Sequence, residues 1–227
     1  MLSILLGHSY FLRFDQKQFE RAKPYPPLAT LQVAAMLQRA GHQVALFDAM
    51  LASGVRDFER QLAAVRPQLV LFYEDNFNFL SKMCLGRMRR AACEMIQTAH
   101  RRGTRVIAAG ADVSDAPEPY LRAGADVALL GEGLSRLKAL LARLEVCPQA
   151  KASSLTDGLS GVVSLNDGRI TAVNGAQVLP AAPGRFPSRF KRGPIWSASA
   201  WRRRCVLRAA AKPGSEPRAA ASRSWMP

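Results

Sequence analysis

Four short clusters in this 227-residue chain hold residue types able to do chemistry at the end of an apolar run. Arg105-Val-Ile-Ala-Ala leads into Gly110-Ala111-Asp112-Val113-Ser114, and Asp126-Val-Ala-Leu-Leu leads into Gly131-Glu132-Gly133. Glycine at such a point permits positive φ and lets a ligand approach the backbone. A third run ends in Glu74-Asp75-Asn76-Phe77-Asn78-Phe79, and the amino-terminal run ends in Gly7-His8-Ser9-Tyr10. Carboxylates, carboxamides and hydroxyls placed there either bind a polar ligand or cap the helix that follows, and both readings stand for Glu74 to Phe79 and for Asp112, Ser114 and Asp115. Glu132 lies between two glycines, so its backbone matters more than its carboxylate. If the runs are parallel strands, all four clusters share the carboxyl edge of one sheet, where open α/β sheets bind ligands.

The elements needed to place them there are legible in order. Leu2 to Leu6 forms a first strand, and His8 to Pro27 a loop too long for a simple connector. Leu28, Leu31, Ala35 and Met36 recur at helical spacing between a Pro26-Pro27 start and an Ala40-Gly41 stop. A strand follows over Gln43 to Phe47, then an amphipathic helix over Val55 to Val65 with Phe58, Leu62 and Val65 on one face. Beyond Pro67 come a strand over Gln68 to Tyr73, a helix over about Leu80 to Arg102 closed by Gly103, and a strand over Thr104 to Ala109. A short helix over Pro117 to Ala123, a fifth strand and a helix over Leu134 to Leu144 complete the alternation. This pattern predicts an α/β fold, a flavodoxin-like, doubly wound, five-stranded parallel sheet of Rossmann-like type with right-handed crossovers. Lys151 to Asp157 is linker-like, and Asn166-Asp-Gly168 between β-rich runs predicts a short hairpin. The expected divisions are an α/β domain over 1–147, a linker and hairpin over 148–182, and an Arg/Pro/Ala-rich tail over 183–227 with no assignable fold.

Composition limits the function classes. The formal charge is +15, yet residues 151–182 hold two charges of each sign and residues 183–227 hold eleven basic groups against one acid. The excess basicity thus lies in the tail, and the α/β part carries no nucleic-acid signature. The basic side chains Lys82, Arg87, Arg89, Arg90, Arg101 and Arg102 read as a solvated helix face. Cys84, Cys93, Cys147 and Cys205 are scattered without metal-binding spacing, so reduced thiols in the cytoplasm are the expectation. No apolar run is long enough to span a bilayer, and Met1-Leu-Ser-Ile-Leu-Leu lacks the basic lead of a signal peptide. A dinucleotide fingerprint fails because Gly131-Glu-Gly133-Leu-Ser-Arg136 lacks its third glycine and follows the last strand. A phosphoacceptor receiver fails too: Asp75 sits near the third strand's end, but no acidic pair follows the first strand and no lysine follows the fifth.

The run from Tyr25-Pro-Pro-Leu through Ala40-Gly-His to Phe47-Asp-Ala49 resembles the cobalamin-binding domain that precedes the catalytic core of cobalamin-dependent radical S-adenosylmethionine enzymes. Pro67-Gln-Leu-Val, the glycine turn at Gly110, Gly124-Ala-Asp-Val and Gly131-Glu-Gly133 extend the resemblance over roughly residues 1–180. It implies cobalamin as cofactor, with His8, Ser9, Tyr10, Glu74, Asp75, Asn76, Phe77, Gly110, Ala111, Asp112, Ser114, Gly131, Glu132 and Gly133 as candidate contacts. The chain departs from the class in which an Asp-x-His-x-x-Gly loop gives an imidazole to cobalt. The resemblance therefore implies a cobalamin whose benzimidazole tail is swung away, with no histidine on the metal; His8 either approaches the corrin's lower face or serves as a hydrogen-bonding loop residue.

In the resembled enzymes a CxxxCxxC iron–sulfur cluster opens a second domain after the hairpin, whereas this chain has only Cys205 there. One cysteine cannot hold such a cluster, so the chain by itself is expected to be a non-catalytic binding module whose partner is an absent radical domain. The tail's composition suggests a truncation or frameshift, which the other two reading frames of the encoding DNA would decide. A rival reading makes the chain a basic interaction protein whose Arg-rich tail binds nucleic acid, with affinity that falls steeply with salt.

Overall fold

A computed structural model describes residues 1–21, 24–74, 84–166 and 169–173. Seven strands form one sheet: β1 (Ser3–Gly7), β2 (Gln43–Phe47), β3 (Leu69–Tyr73), β4 (Arg105–Ala109), β5 (Val127–Leu129), β6 (Val162–Asn166) and β7 (Arg169–Val173). Their order is β2-β1-β3-β4-β5-β6-β7. The first five run parallel, and the hairpin β6-β7 continues the same sheet antiparallel beyond β5. The hairpin is therefore part of the sheet, where it covers the β5 edge with the buried Val162, Val163 and Ser164.

Side chains alternate along β1 to β6 and feed two apolar layers. Val70 and Phe72 join Phe58 and Leu62 of α3 (Val55–Val65) and Met95 and Ile96 of α4 (Leu85–Arg101). Leu69, Leu71 and Tyr73 face the other way, toward α2 (Leu28–Arg39) and α7 (Leu134–Val146). Phe58 bridges strands through Phe47, at 5.2 Å between ring centroids, and Phe72, at 5.5 Å. The short helices α5 (Ala111–Asp115) and α6 (Pro117–Arg122) lie between β4 and β5. After α7, α8 (Ala152–Thr156) falls within the stretch expected to be linker.

Two expectations change. The loop after β1 is folded into a 3-10 turn (Leu12–Phe14) and a helix, α1 (Gln16–Glu20), with Tyr10, Phe11 and Leu12 buried. Asp15 secures it, accepting from the Tyr10 hydroxyl at 2.8 Å and from the Gln18 amide at 3.1 Å. On α2 the buried stripe is Thr30, Val33 and Leu37, while Leu28 is 54% exposed. An alanine-rich helix offers several apolar phases; Thr30 settles this one because its hydroxyl donates to the Tyr73 carbonyl at 2.8 Å. The helix expected from about Leu80 is described from Leu85, residues 80–83 lying outside the described set.

Candidate functional site

The strand order reverses between β1 and β3, because the connection after β1 runs outward to β2 and the one after β3 runs the opposite way to β4, and crevices form at such switch points. A groove of about 690 Å³ opens at this carboxyl edge. One side is Ala29 and Gln32 of α2, the other is Gly110, Ala111, Ser114 and Asp115, and Tyr73, Gly131, Glu132 and Leu134 complete it. Its walls are cross-linked by hydrogen bonds. The Ser114 hydroxyl donates to the Gly110 carbonyl and accepts from the Gly131 amide, each at 2.8 Å, so one side chain joins both glycine turns. The Tyr73 hydroxyl donates to the Glu132 carbonyl at 2.7 Å, and burial followed by the Glu132 charge pushes its pKa up to about 12.

Five of the candidate residues, Gly110, Ala111, Ser114, Gly131 and Glu132, thus share one groove. Gly133 sits just inside the same turn with φ +64, packed against Leu129. Tyr73, Ala29 and Gln32 carried no sequence signal. Tyr73 looked like ordinary strand core, and Ala29 and Gln32 were not among the apolar residues, Leu28, Leu31, Ala35 and Met36, that the spacing of α2 picked out.

The remaining candidates form a buried network behind the edge. Glu74 is 4% exposed, and its Oε2 accepts from the Ser9 amide at 3.0 Å and the Ser9 hydroxyl at 2.8 Å. Its Oε1 is buried without a hydrogen-bond partner. Burial raises the Glu74 pKa, opposed by the Ser9 hydrogen bonds and His8 and assisted by Asp112. His8 is 1% exposed: its Nδ1 accepts the Tyr10 amide at 3.3 Å, leaving Nε2 to donate to Asp48 at 3.1 Å. Asp112 accepts a two-pronged bond from Arg89, at 2.8 and 2.6 Å, and a third from the Tyr120 hydroxyl. It therefore anchors α5 rather than facing the groove. Asp75, Asn76 and Phe77 lie outside the described residues.

An acid whose folded-state pKa is raised contributes stability present at low pH and lost as pH climbs through that raised value. Glu74→Gln keeps a carbonyl for both Ser9 donors and removes the ionisation. It is expected to melt above the parent at pH 8, with a difference that shrinks toward pH 5. A variant that melts below the parent at pH 8 would show that the ionised carboxylate is needed.

A second cavity, of about 640 Å³, lies among residues flanking the amino ends of β3 and β4 and includes Arg66, His100 and Arg105. Arg105 there is paired with Asp126 at 3.2 Å. Parallel sheets bind at the opposite edge, and the glycine turns are there as well. Among the described residues no three His, Cys, Asp or Glu side chains converge as a metal site, and no helix is long and apolar enough to cross a membrane.

The groove at a switch point has the room and the polar lining for a long polar ligand. In solved structures, the fold is similar to OxsB, a cobalamin-dependent S-adenosylmethionine radical enzyme with aqua-cobalamin and S-adenosylmethionine bound. The TM-score is 0.56 at 14% identity, over 78% of this chain and 23% of that one. It is also similar to TsrM, a radical S-adenosylmethionine methyltransferase from Kitasatospora setae with cobalamin and a [4Fe-4S] cluster bound, with a TM-score of 0.49 at 19% identity, over 75% of this chain and 30% of that one. The chain therefore spans less than a third of the length of either protein. No curated protein matches. The family model described as the B12 binding domain matches residues 19–141, more than half of the sequence, and the chain belongs to that family of cobalamin-binding domains.

Proposed function

We propose that the chain is the cofactor-holding module of a cobalamin-dependent radical S-adenosylmethionine enzyme, with the nucleotide tail in the groove and the corrin over the carboxyl edge of the sheet. The observation that carries this reading is the groove of about 690 Å³ at the switch point. Its residues fit the group. A Cβ on Gly131 would meet nothing within 4 Å, so the turn leaves open space beside the groove. α2 and α7 both begin at the groove, so the positive ends of two helix dipoles favour a phosphate there. The ring nitrogens of His8 are both committed within the protein, which supports a cobalt with no protein imidazole.

When bound, cobalamin supplies a cobalt able to carry a transferable methyl group. The residues of this chain bind and orient it: Ser114 and Tyr73 hold the glycine turns in register, and the Ser9–Glu74 pair ties the loop after β1 to the end of β3. The exposed corrin face is assigned to a radical catalytic domain, a partner supported by the shared fold of OxsB, whose structure holds S-adenosylmethionine.

Titration of the purified chain with hydroxocobalamin tests the reading. The corrin absorption bands are expected to shift as the base leaves the metal, and colour is expected to survive desalting. An unchanged spectrum with complete loss of colour would overturn it.

A further inference from the structure

We infer that Gln32 reads the base at the end of the nucleotide tail, donating a hydrogen bond from its carboxamide to the ring nitrogen that the benzimidazole exposes on leaving cobalt. The inference rests on the function proposed above and adds a specificity residue to it. That nitrogen is a bare acceptor, so a side-chain donor in the groove that receives it would hold it in place of water. The side-chain hydrogens of the groove are nearly all spent. Tyr73 donates to the Glu132 carbonyl and Ser114 to the Gly110 carbonyl. Asp115 and Glu132 line the groove as carboxylates, which accept only and would repel a lone pair while suiting ribose hydroxyls. The other lining side chains are apolar or absent, being those of Ala29, Gly110, Ala111, Gly131 and Leu134. Gln32 remains. It lies one helical turn from Ala29 on the groove-facing side of α2, and among the described residues its amide has no partner. It is exposed in the free protein, so its amide is available to an incoming ligand at no cost to the core.

The experiment compares hydroxocobalamin with cobinamide, a corrinoid lacking the nucleotide, by absorption titration of the full chain and of Gln32→Leu and Gln32→Glu. Both variants are expected to bind cobalamin about tenfold more weakly, the loss of one hydrogen bond to a buried acceptor. Gln32→Glu tests donation specifically, because it keeps the length of the side chain and removes the N–H groups. Cobinamide affinity and ligand-free melting are expected to match the parent. Unchanged cobalamin affinity in both variants would make Gln32 an ordinary surface residue and overturn the inference, as would an equal loss for cobinamide. A parent chain that binds neither corrinoid would overturn the proposed function as well, whereas a parent that binds with indifferent Gln32 variants overturns the inference alone.

Discussion

Gly110→Ala is expected to lower the stability of the chain by about 3 kcal/mol, or roughly 10 °C in melting temperature, and to weaken corrinoid binding with it. Gly110 has φ +130, a backbone conformation that side-chain-bearing residues rarely adopt. A Cβ there would also lie 2.7 Å from the Glu74 Cβ and 2.9 Å from the Glu74 carbonyl oxygen. Neither neighbour can give way: the Glu74 amide is bonded to Ala109 at 2.9 Å, and its carboxyl group is held by Ser9. Relief must come from moving the start of α5, which carries Ser114 and hence the bridge to Gly131. Gly131→Ala is the control. Its φ is +66 and its added Cβ would meet nothing within 4 Å, so only the left-handed conformation opposes it, at about 1 kcal/mol. Thermal unfolding of both variants decides the matter, and a Gly110→Ala chain that melts no lower than Gly131→Ala would refute the close-approach argument.

Arg89→Met is expected to cost about 3 kcal/mol, because it leaves the Asp112 carboxylate, 6% exposed, without its cation. Arg89 holds both oxygens of Asp112 and so fastens α4 to α5, the element that lines one side of the groove. Tyr120 supplies a remaining hydrogen bond but no charge. The double variant Arg89→Met with Asp112→Asn keeps an acceptor for Tyr120 and removes the stranded charge. It should recover more than half of the loss, a coupling that denaturant unfolding of the four chains would read directly. A double variant no more stable than Arg89→Met would mean that the packing of the arginine, and not its charge, is what matters.

The fold was largely readable because its local signals and its tertiary arrangement agree. The strand Gln43–Phe47, the helix Val55–Val65 and the strand Arg169–Val173 fall where hydrophobic period and turn residues place them. Regular alternation then leaves few ways to wind a parallel sheet. Reading failed where period is ambiguous. Alanines around α2 allowed several buried faces, and only the bond from Thr30 to Tyr73 selects one. The loop after β1 was too long for a simple connector, but its structure was not legible, because its apolar residues Tyr10 to Leu12 are consecutive and follow no period, yet all three are buried.

The sequence by itself determined that glycine turns and polar clusters gather at one carboxyl edge, since strand direction and chain order suffice for that. The family resemblance rested on the run from Tyr25 to Ala49 together with the glycine turns, and the match over residues 19–141 bears it out for cobalamin binding. Only the tertiary structure decided which of those groups line the groove. Glu74, Asp112 and His8 share the edge with Ser114 and Gly131, but their side chains turn inward to meet Ser9, Arg89 and Asp48 across long stretches of chain. Gln32 and Tyr73 reach the groove instead, although neither was singled out as a contact, even with Gln32 inside the run that carries the resemblance. Side-chain direction depends on which partner waits across the fold to satisfy a buried polar group, and partners that far apart in the chain leave no spacing in the sequence to read.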